Sequence, residues 1–163
     1  VTMFADLSLD EYQVTALEEA MEIWNQALLK HRKGKKIFKF GGQLQKHVGL
    51  QNDYMNVVSL TETWEGDVGE QAQTMLLWEG TSILEADIIV NGEKPFSILD
   101  TGEPGKIDMV ALFVHELGHV LGLLHIEPTE KDPYTVMNPY LARGDVVLRV
   151  IGAVELNALV CEY

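Results

Sequence analysis

Apolar residues recur at steps of three and four near the start of the chain, which is the spacing of one helix face. These residues are Val14, Leu17, Met21, Trp24 and Leu28. The preceding segment Ser8-Leu9-Asp10-Glu11 has the form of a capping box, in which the first and last side chains bond each other's backbone N–H groups. The pattern predicts an amphipathic helix that ends near Gly34 and packs its apolar face into the core.

Four short apolar or alternating runs follow, each bounded by turn residues, and they predict four strands of one sheet. The runs cover residues 37–40, 54–60, 74–78 and 83–90. Asn91-Gly92 is typical of a hairpin turn into a further strand at 96–98, although a loop fits the same residues. The alternation therefore predicts a sheet of four to five strands between the first helix and residue 98.

Two further helices are predicted in the second half of the chain. After the turn-rich segment 100–105, a dense apolar run predicts a buried helix that starts near Asp108. A final helix over about residues 145–159 would carry on one face Val147, Ile151, Val154 and Ala158. The elements together predict an α+β fold, with a twisted, mixed sheet backed by two long helices and a shorter C-terminal part.

Length and composition favour a single domain over residues 1–163. With 47% hydrophobic residues, the chain is able to bury one sizeable core. Its 12 basic and 25 acidic residues give a net charge of −13, which argues against nucleic acid and anionic membranes as partners. The basic cluster Arg32-Lys33-Gly34-Lys35-Lys36 is short, so we expect a solvated loop there.

The segment 115–125 carries the chemistry, because it reads HExxHxxGxxH. His115 and His119 are four residues apart, so one helix face presents both imidazoles to a shared metal ion. Glu116 lies beside this row, where a general base is needed. Gly122 favours a left-handed turn that brings His125 back as a third ligand. Three protein ligands leave a fourth position for water, as in catalytic zinc sites. A metal-free buried helix is the alternative, and the cost of desolvating these groups disfavours it.

Together with Tyr134-Thr135-Val136-Met137-Asn138-Pro139-Tyr140, the motif resembles the metzincin metallopeptidases, and among them the matrixins most. The resemblance implies a zincin fold with an upper part at about 1–122 and a short lower part at about 123–163. It also implies that Met137 forms a methionine turn beneath the zinc site. Two positions depart from the matrixin pattern. Ile126 replaces the usual Ser after the third His, and Asn138 replaces the usual aromatic residue after Met.

The resemblance also bears on further metal ions. Matrixins carry a second, structural zinc held by three His and an Asp, but only His31 and His47 remain outside the motif here. We therefore expect one catalytic zinc and no second zinc, with His31 and His47 facing solvent or bonded locally. Calcium binding stays open, since the chain has no D-x-D-x-D-G loop.

In metzincins, the strand before the zinc helix lies at the sheet edge and pairs antiparallel with an extended substrate, and residues 83–90 match that strand by order. The resemblance thus implies substrate contacts from Leu84, Glu85 and Ala86. The alternative for residues 83–90 is a buried central strand. The opposite wall of the substrate pocket, further shaped by the loop 141–148, is expected to come from Asn138, Pro139 and Tyr140. Tyr140 would serve as wall or as a helper that stabilises the oxyanion.

The function implied is that of a zinc-dependent endopeptidase, in which Glu116 activates water for attack on the peptide bonds of extended polypeptides. A zinc-stabilised, non-catalytic binding protein would have no need of Glu116. A zinc hydrolase with a non-peptide substrate would keep the same reaction centre, because the motif fixes the centre rather than the substrate. Both alternatives stay open.

We expect a monomer that is secreted or otherwise extracytoplasmic. No signal peptide is visible at Val1, which suggests a mature form, and no apolar run is long enough to span a membrane. The lone Cys161 has no partner for an internal disulfide and is too near the C-terminus to be a prosegment thiol that covers the zinc.

Overall fold

The computed structural model describes residues 1–29, 34–131 and 133–162, the last three of them without their side chains. Expectations about His31, Arg32, Lys33 and the thiol of Cys161 therefore lie outside the described residues. The described part has an α+β fold, in which a five-stranded sheet packs against helices, as predicted.

Five strands form the main sheet: β1 (Thr2–Ala5), β2 (Lys39–Gln43), β3 (Asn56–Thr61), β4 (Ala72–Glu79) and β5 (Ser82–Asn91). Their order is β2-β1-β3-β5-β4, and only the pair β4 and β5 is antiparallel. The mixed sheet and its four predicted strands are confirmed. Strand β1 was missed because four residues give no clear alternation, and its conformation depends on parallel partners on both sides.

Strand β5 lies inside the sheet rather than at its edge. A tight turn folds β4 back onto β5 with Glu79 opposite Ser82, while Ile88 of β5 pairs with Val58 of β3. The prediction that residues 83–90 form the edge strand is therefore wrong, and the alternative of a central strand is confirmed. The edge position belongs to β4.

The interior position of β5 gives two of its residues contacts within the fold. The N–H of the buried Ala86 donates to Asn56 Oδ1 at 2.8 Å, and the buried carboxylate of Glu85 accepts from the N–H of Tyr54. Both residues thus hold β5 to the segment that leads into β3. Leu84 is 36% exposed and lies on the same strand.

The segment after β5 turns away from the main sheet. Lys94 N–H donates to Asn91 O at 3.2 Å, which closes a turn directly after the strand. Strand β6 (Phe96–Ser97) then pairs in parallel with β7 (Ile107–Asp108) as a separate two-stranded ribbon. Of the two predicted alternatives at Asn91-Gly92, the loop is therefore confirmed and the hairpin is wrong.

Helix α1 (Glu11–Leu28) has its N-cap two residues later than predicted. Asp10 is the N-cap and forms a capping box with Gln13, in which each side chain accepts from the other's N–H, at 2.8 and 2.9 Å. The hydroxyl of Ser8 instead accepts from Leu60 N–H at 2.9 Å. The predicted box of Ser8 and Glu11 is wrong, because Asp10 and Gln13 fit the same motif and lie at the actual helix start.

Helix α2 (Met109–Val120) begins near Asp108, as predicted, and Asp108 is its N-cap, whose side chain accepts from Ala111 N–H at 2.7 Å. The two helices pack against each other, and the buried Trp24 Nε1 of α1 donates to Val114 O of α2 at 2.8 Å. Helix α1 ends at Leu28, short of the predicted end near Gly34. Across the described residues, no helix combines the length and apolarity that a membrane crossing requires.

The predicted final helix is divided into two elements. A 3₁₀ turn covers Val147–Arg149, Val150 is extended, and α3 (Ala153–Glu162) follows. The prediction of a continuous helix from residue 145 is wrong in its first part. The reason is tertiary, because the Arg149 side chain binds Asp108 at the start of α2. The helix starts only after Gly152, whose N–H donates to the Glu155 carboxylate at 3.0 Å.

Arg149 and Asp108 form a buried ion pair that joins the C-terminal part to α2. Arg149 donates to both carboxylate oxygens of Asp108, at 2.9 and 2.6 Å, and their side chains are 11% and 2% exposed. Arg149→Met should lower the free energy of unfolding by about 3 kcal/mol, because it leaves a buried carboxylate without its cation. Urea unfolding measures this loss.

Lys36 and Glu22 provide a matched control for that prediction, since their ion pair has a similar length, 2.7 Å, but side chains 62% and 44% exposed. Lys36→Met should cost less than about 0.5 kcal/mol. Equal, small losses in both variants would show that Arg149 contributes no more than a surface ion pair.

Asp87 of β5 holds the segment before β3, because its carboxylate accepts from Val57 N–H at 2.8 Å and Gln51 N–H at 3.3 Å. Burial raises the pKa of Asp87 to about 6, and the Glu85 and Asp53 carboxylates add to the shift. An unfolded Asp titrates near pH ~3.9. The contribution of Asp87 to stability is therefore full below about pH 4 and is lost as the pH rises through about 6.

Asp87→Asn should remove this pH dependence, because an amide does not ionise. The free energy of unfolding of the variant, relative to wild type, should rise by about 1–3 kcal/mol between about pH 4 and about pH 7. Urea unfolding of both proteins at the two pH values measures the change, and any loss of the Gln51 contact adds only a constant offset. A difference that stays the same at both values would contradict the prediction.

Candidate active site

Three imidazoles converge at the C-terminal end of α2. His119 Nε2 lies 3.1 Å from His115 Nε2 and 3.2 Å from His125 Nε2, and the rings of His115 and His119 are nearly perpendicular, at 88°. His115 and His119 come from successive turns of one helix face, as their spacing predicts. The structure thus brings all three predicted zinc ligands to one point.

A tight turn after α2 brings the third histidine back. Gly122 has a φ of +89°, a left-handed conformation that glycine adopts without strain, and its N–H donates to His119 O at 2.8 Å. Leu123 N–H then donates to Gly118 O at 3.0 Å, so the chain reverses within two residues of the helix end. Gly122 therefore has the left-handed conformation that its position in the motif predicts.

Backbone carbonyls determine which nitrogen carries the proton in the rings of His115 and His119. His115 Nδ1 lies 2.8 Å from Val136 O, and His119 Nδ1 lies 2.7 Å from Leu123 O. A carbonyl oxygen only accepts, so each Nδ1 carries the proton and each neutral ring has a free lone pair on Nε2. Burial lowers the pKa of His115 to about 4, and the charges of His119 and His125 lower it further. Burial and the charge of His125 also lower the pKa of His119. His115 is therefore neutral at pH 7, and the neutral form of His119 is favoured as well.

These three nitrogens fit a zinc ion. Two unprotonated Nε2 atoms only 3.1 Å apart repel each other unless a cation lies between them. Three nitrogens bound tetrahedrally at about 2.0–2.1 Å from zinc would be ~3.3 Å apart, close to the observed separations. Among the described residues, His115, His119 and His125 are the group of potential ligands with spacing suited to a metal ion.

Glu116 lies beside the imidazole cluster and is only 4% exposed. Its Oε2 accepts a hydrogen bond from Thr74 Oγ1 of β4 at 2.5 Å. Burial raises the pKa of Glu116 to about 7, against the opposing effect of this hydrogen bond, and the charge of Glu70 raises it further. A carboxyl group with a pKa near neutrality is suited to take and return a proton at pH 7.

Met137 packs against α2 at Gly118, the residue before His119. A Cβ atom at Gly118 would lie 2.3 Å from Met137 Sδ, so glycine at this position makes room for the methionine. Ile126 N–H donates to Met137 O at 2.9 Å, which joins the turn to the segment that follows His125. Met137 is fully buried and supports the helix from below.

Glu155 of α3 holds the methionine turn from the other side. This fully buried carboxylate accepts from the Thr135 hydroxyl and from Val136 N–H, the latter at 2.9 Å. Since Val136 O binds the His115 ring, α3 is connected through this turn to the metal site. The role of Glu155 was not predicted from the sequence. The one feature that pointed to it was a carboxylate beside the apolar face of the final helix.

A cleft of about 820 Å³ runs past the three histidines and Glu116. Strand β4 forms one wall, with Thr74, and the opposite wall includes Pro139, Tyr140 and Leu141. Residues on its rim are well exposed, among them Met75, Trp78, Leu124 and Tyr140. The cleft is thus open to solvent along its rim.

Several residues predicted to contact substrate do not line this cleft. Leu84 and Ala86 line a second groove of about 460 Å³, which includes Leu121 and Gly122 after α2, and Glu85 is engaged with Tyr54. The physical reason is that β5 is a central strand, so β4 stands between it and the cleft. Asn138 lies next to the cleft-lining Pro139, and its Oδ1 accepts from Tyr140 N–H at 3.0 Å.

His47 bonds to Asp6 and not to the imidazole cluster. Its Nδ1 lies 3.0 Å from the buried carboxylate of Asp6, and its side chain is 69% exposed, which agrees with the expectation of a locally bonded, solvent-facing residue. Burial alone would raise the pKa of Asp6, but the N–H donors of Val48 and Ser8 outweigh it and lower that pKa to about 2.

Two comparisons relate this chain to known proteins. The sequence model of the matrixin peptidases matches residues 6–149. Among solved structures, metalloproteinase-II from Bacteroides fragilis is similar, with a TM-score of 0.51 and 14% sequence identity. The match covers 98% of this chain and 51% of that one, so this chain spans about half its length, and at such low identity the likeness concerns the fold alone. No curated protein sequence matches the chain significantly.

Proposed function

Because the chain belongs to the matrixin family of metallopeptidases, we propose that it is a zinc-dependent endopeptidase that cuts extended polypeptides. One observation carries the proposal. Three imidazole Nε2 atoms, two of them unprotonated, face one another at 3.1 and 3.2 Å beside the carboxylate of Glu116, on the floor of an open cleft. This arrangement combines a metal-ligand set, a proton acceptor and room for a chain.

His115, His119 and His125 would hold the zinc ion through their Nε2 atoms. When bound, zinc supplies Lewis acidity, which makes a water more acidic and a carbonyl more electrophilic. The carbonyls of Val136 and Leu123 orient the first two rings and keep their protons on Nδ1. Gly122 supports the turn that delivers the third ring, and Met137 supports the helix that carries the first two.

Glu116 is the proposed general base. Its carboxylate accepts a proton from the attacking water and then donates that proton to the amine nitrogen that leaves. Its burial favours both steps, because a raised pKa brings the protonated and ionised forms close in free energy at pH 7. No other described carboxylate is both buried and adjacent to the three histidines in the cleft lining.

The substrate chain is proposed to lie along β4. Among the described strands, none pairs with the outer edge of β4, and an extended peptide would pair with the backbone groups there. The opposite wall, formed by Pro139, Tyr140 and Leu141, would then contact substrate side chains. Asn138 is proposed to orient this wall through its bond to Tyr140 N–H. The role first predicted for Leu84, Glu85 and Ala86 is assigned to β4 instead.

We further propose that residues 1–163 act as one catalytic domain and that the protein works as a secreted monomer with polypeptide substrates. Matrixin-like peptidases are often extracellular, which supports the location. The two other functions considered from the sequence, a non-catalytic zinc-binding protein and a zinc hydrolase of small molecules, fit the same histidines. The exposed rim of the cleft favours a polypeptide over a small molecule.

Cleavage of unfolded casein, with and without a zinc chelator, tests the proposed function. Mass spectrometry of the products should find internal fragments, which only an endopeptidase makes, and the chelator should abolish them. Release of single terminal residues would indicate an exopeptidase instead. If the zinc-loaded protein leaves casein intact, the endopeptidase proposal is wrong and the two other functions take its place.

A further inference from the structure

Thr74 connects the edge strand to the proposed general base. Its Oγ1 lies 2.5 Å from Glu116 Oε2, and it is the only hydrogen-bond donor to that carboxylate among the described residues. The backbone of Thr74 is paired with Ile88 of β5, so the hydroxyl is held by the sheet and not by a loop. Thr74 also lines the cleft.

We infer that Thr74 is a positioning residue for Glu116, an inference that rests on the proposed endopeptidase function. The hydroxyl donates its single proton to Oε2 and fixes the plane of the carboxylate. Oε1 is then left to face the reacting water. A carboxylate held in this way takes the proton without first having to rotate into place.

The chemistry of the neighbourhood favours this role over simple packing. Thr74 directly precedes the apolar run Met75-Leu76-Leu77 on β4, at a position where an aliphatic residue would suit a strand equally well. Its other possible acceptor, Glu116 O, is 3.4 Å away, so the one hydroxyl proton is directed to the carboxylate. A hydrogen bond to an ionised group is about twice as strong as a neutral one.

Two substitutions at position 74 separate the hydroxyl from the shape of the side chain. Thr74→Val keeps the shape and removes the donor, and kcat for a peptide substrate should fall by about ten- to a hundred-fold. KM should change by less than about threefold, because the lost contact is with the base and not with substrate. Thr74→Ser keeps the donor and should stay within about threefold of wild type in kcat.

The controls are zinc content, thermal unfolding and Thr61→Val, a substitution of the same kind on β3, where the hydroxyl bonds to Thr63 and to no other described residue. Zinc content should equal that of wild type in all variants, and Thr61→Val should keep the wild-type kcat. If Thr74→Val fails to fold, Thr74→Ser and Thr74→Ala provide the same comparison of donor present and donor absent.

Three results would overturn the inference. The first is an unchanged kcat in Thr74→Val, the second is a rise in KM alone, and the third is an equal loss of kcat in the Ser and Val variants. The proposed function is judged separately, from chelator-sensitive turnover by the wild type that is lost in Glu116→Ala. With that turnover present, any of the three results removes only the role of Thr74. Without it, both proposals are wrong.

Discussion

Glu116→Ala is expected to lower kcat by about a thousand-fold while the protein keeps one zinc ion per chain. The substitution removes the proposed proton acceptor but leaves in place the three Nε2 atoms and the two carbonyls that bind Nδ1 of His115 and His119. Binding and chemistry should therefore separate. Steady-state cleavage of a peptide, measured on samples whose zinc content is determined by atomic absorption, provides both numbers.

Glu79→Ala is the matched control, since Glu79 lies at the end of β4 and is exposed. Its kcat and zinc content should equal those of the wild type. Loss of zinc in Glu116→Ala would indicate that Glu116 supports the metal site instead of the reaction. A variant that keeps the wild-type rate would show that another group removes the proton.

Zinc should stabilise the folded chain by about 4 kcal/mol when free zinc exceeds its dissociation constant a thousand-fold. The physical reason is that three converging imidazoles exist only in the folded state. In His119→Ala, which removes the central nitrogen of the cluster, addition of zinc should have little effect on stability. Urea unfolding of zinc-free protein, with and without added zinc, measures the gain for each chain.

His47→Ala serves as the control for that experiment, because His47 contacts Asp6 and not the other imidazoles. It should keep the full zinc-dependent gain, apart from a small constant loss. If zinc stabilises His119→Ala as much as wild type, the ion binds elsewhere and the assignment of the three histidines is wrong.

The local geometry of the metal site was predictable from the sequence because it depends on short spacings. Residues four apart on a helix share a face, and a glycine three positions later permits the reversal seen at Gly122. Those rules are satisfied by neighbouring residues alone. The convergence of His115, His119 and His125 needed no knowledge of the rest of the chain.

Contacts between distant residues could not be predicted in this way. Thr74 and Glu116 are 42 positions apart, Asp108 and Arg149 are 41 apart, and each pair meets only after the fold has formed. The same limit explains the error over the edge strand. Residues 83–90 form a mostly apolar run typical of a strand, but whether they lie at the edge or in the centre depends on pairing with β3.

The start of the first helix shows a different limit. Ser8 with Glu11 and Asp10 with Gln13 both fit the capping pattern, and propensity does not choose between them. The choice follows from tertiary structure, because Leu60 N–H on β3 engages the Ser8 hydroxyl. Asp10 is left to cap the helix.

Stepwise addition of zinc to the zinc-free protein, with casein cleavage followed at each step, tests the central claim most directly. The three-histidine site predicts that activity rises in proportion to zinc and reaches its maximum at one ion per chain. Cleavage that needs no zinc, or a protein that binds one zinc ion at these histidines and never cuts, would contradict the account.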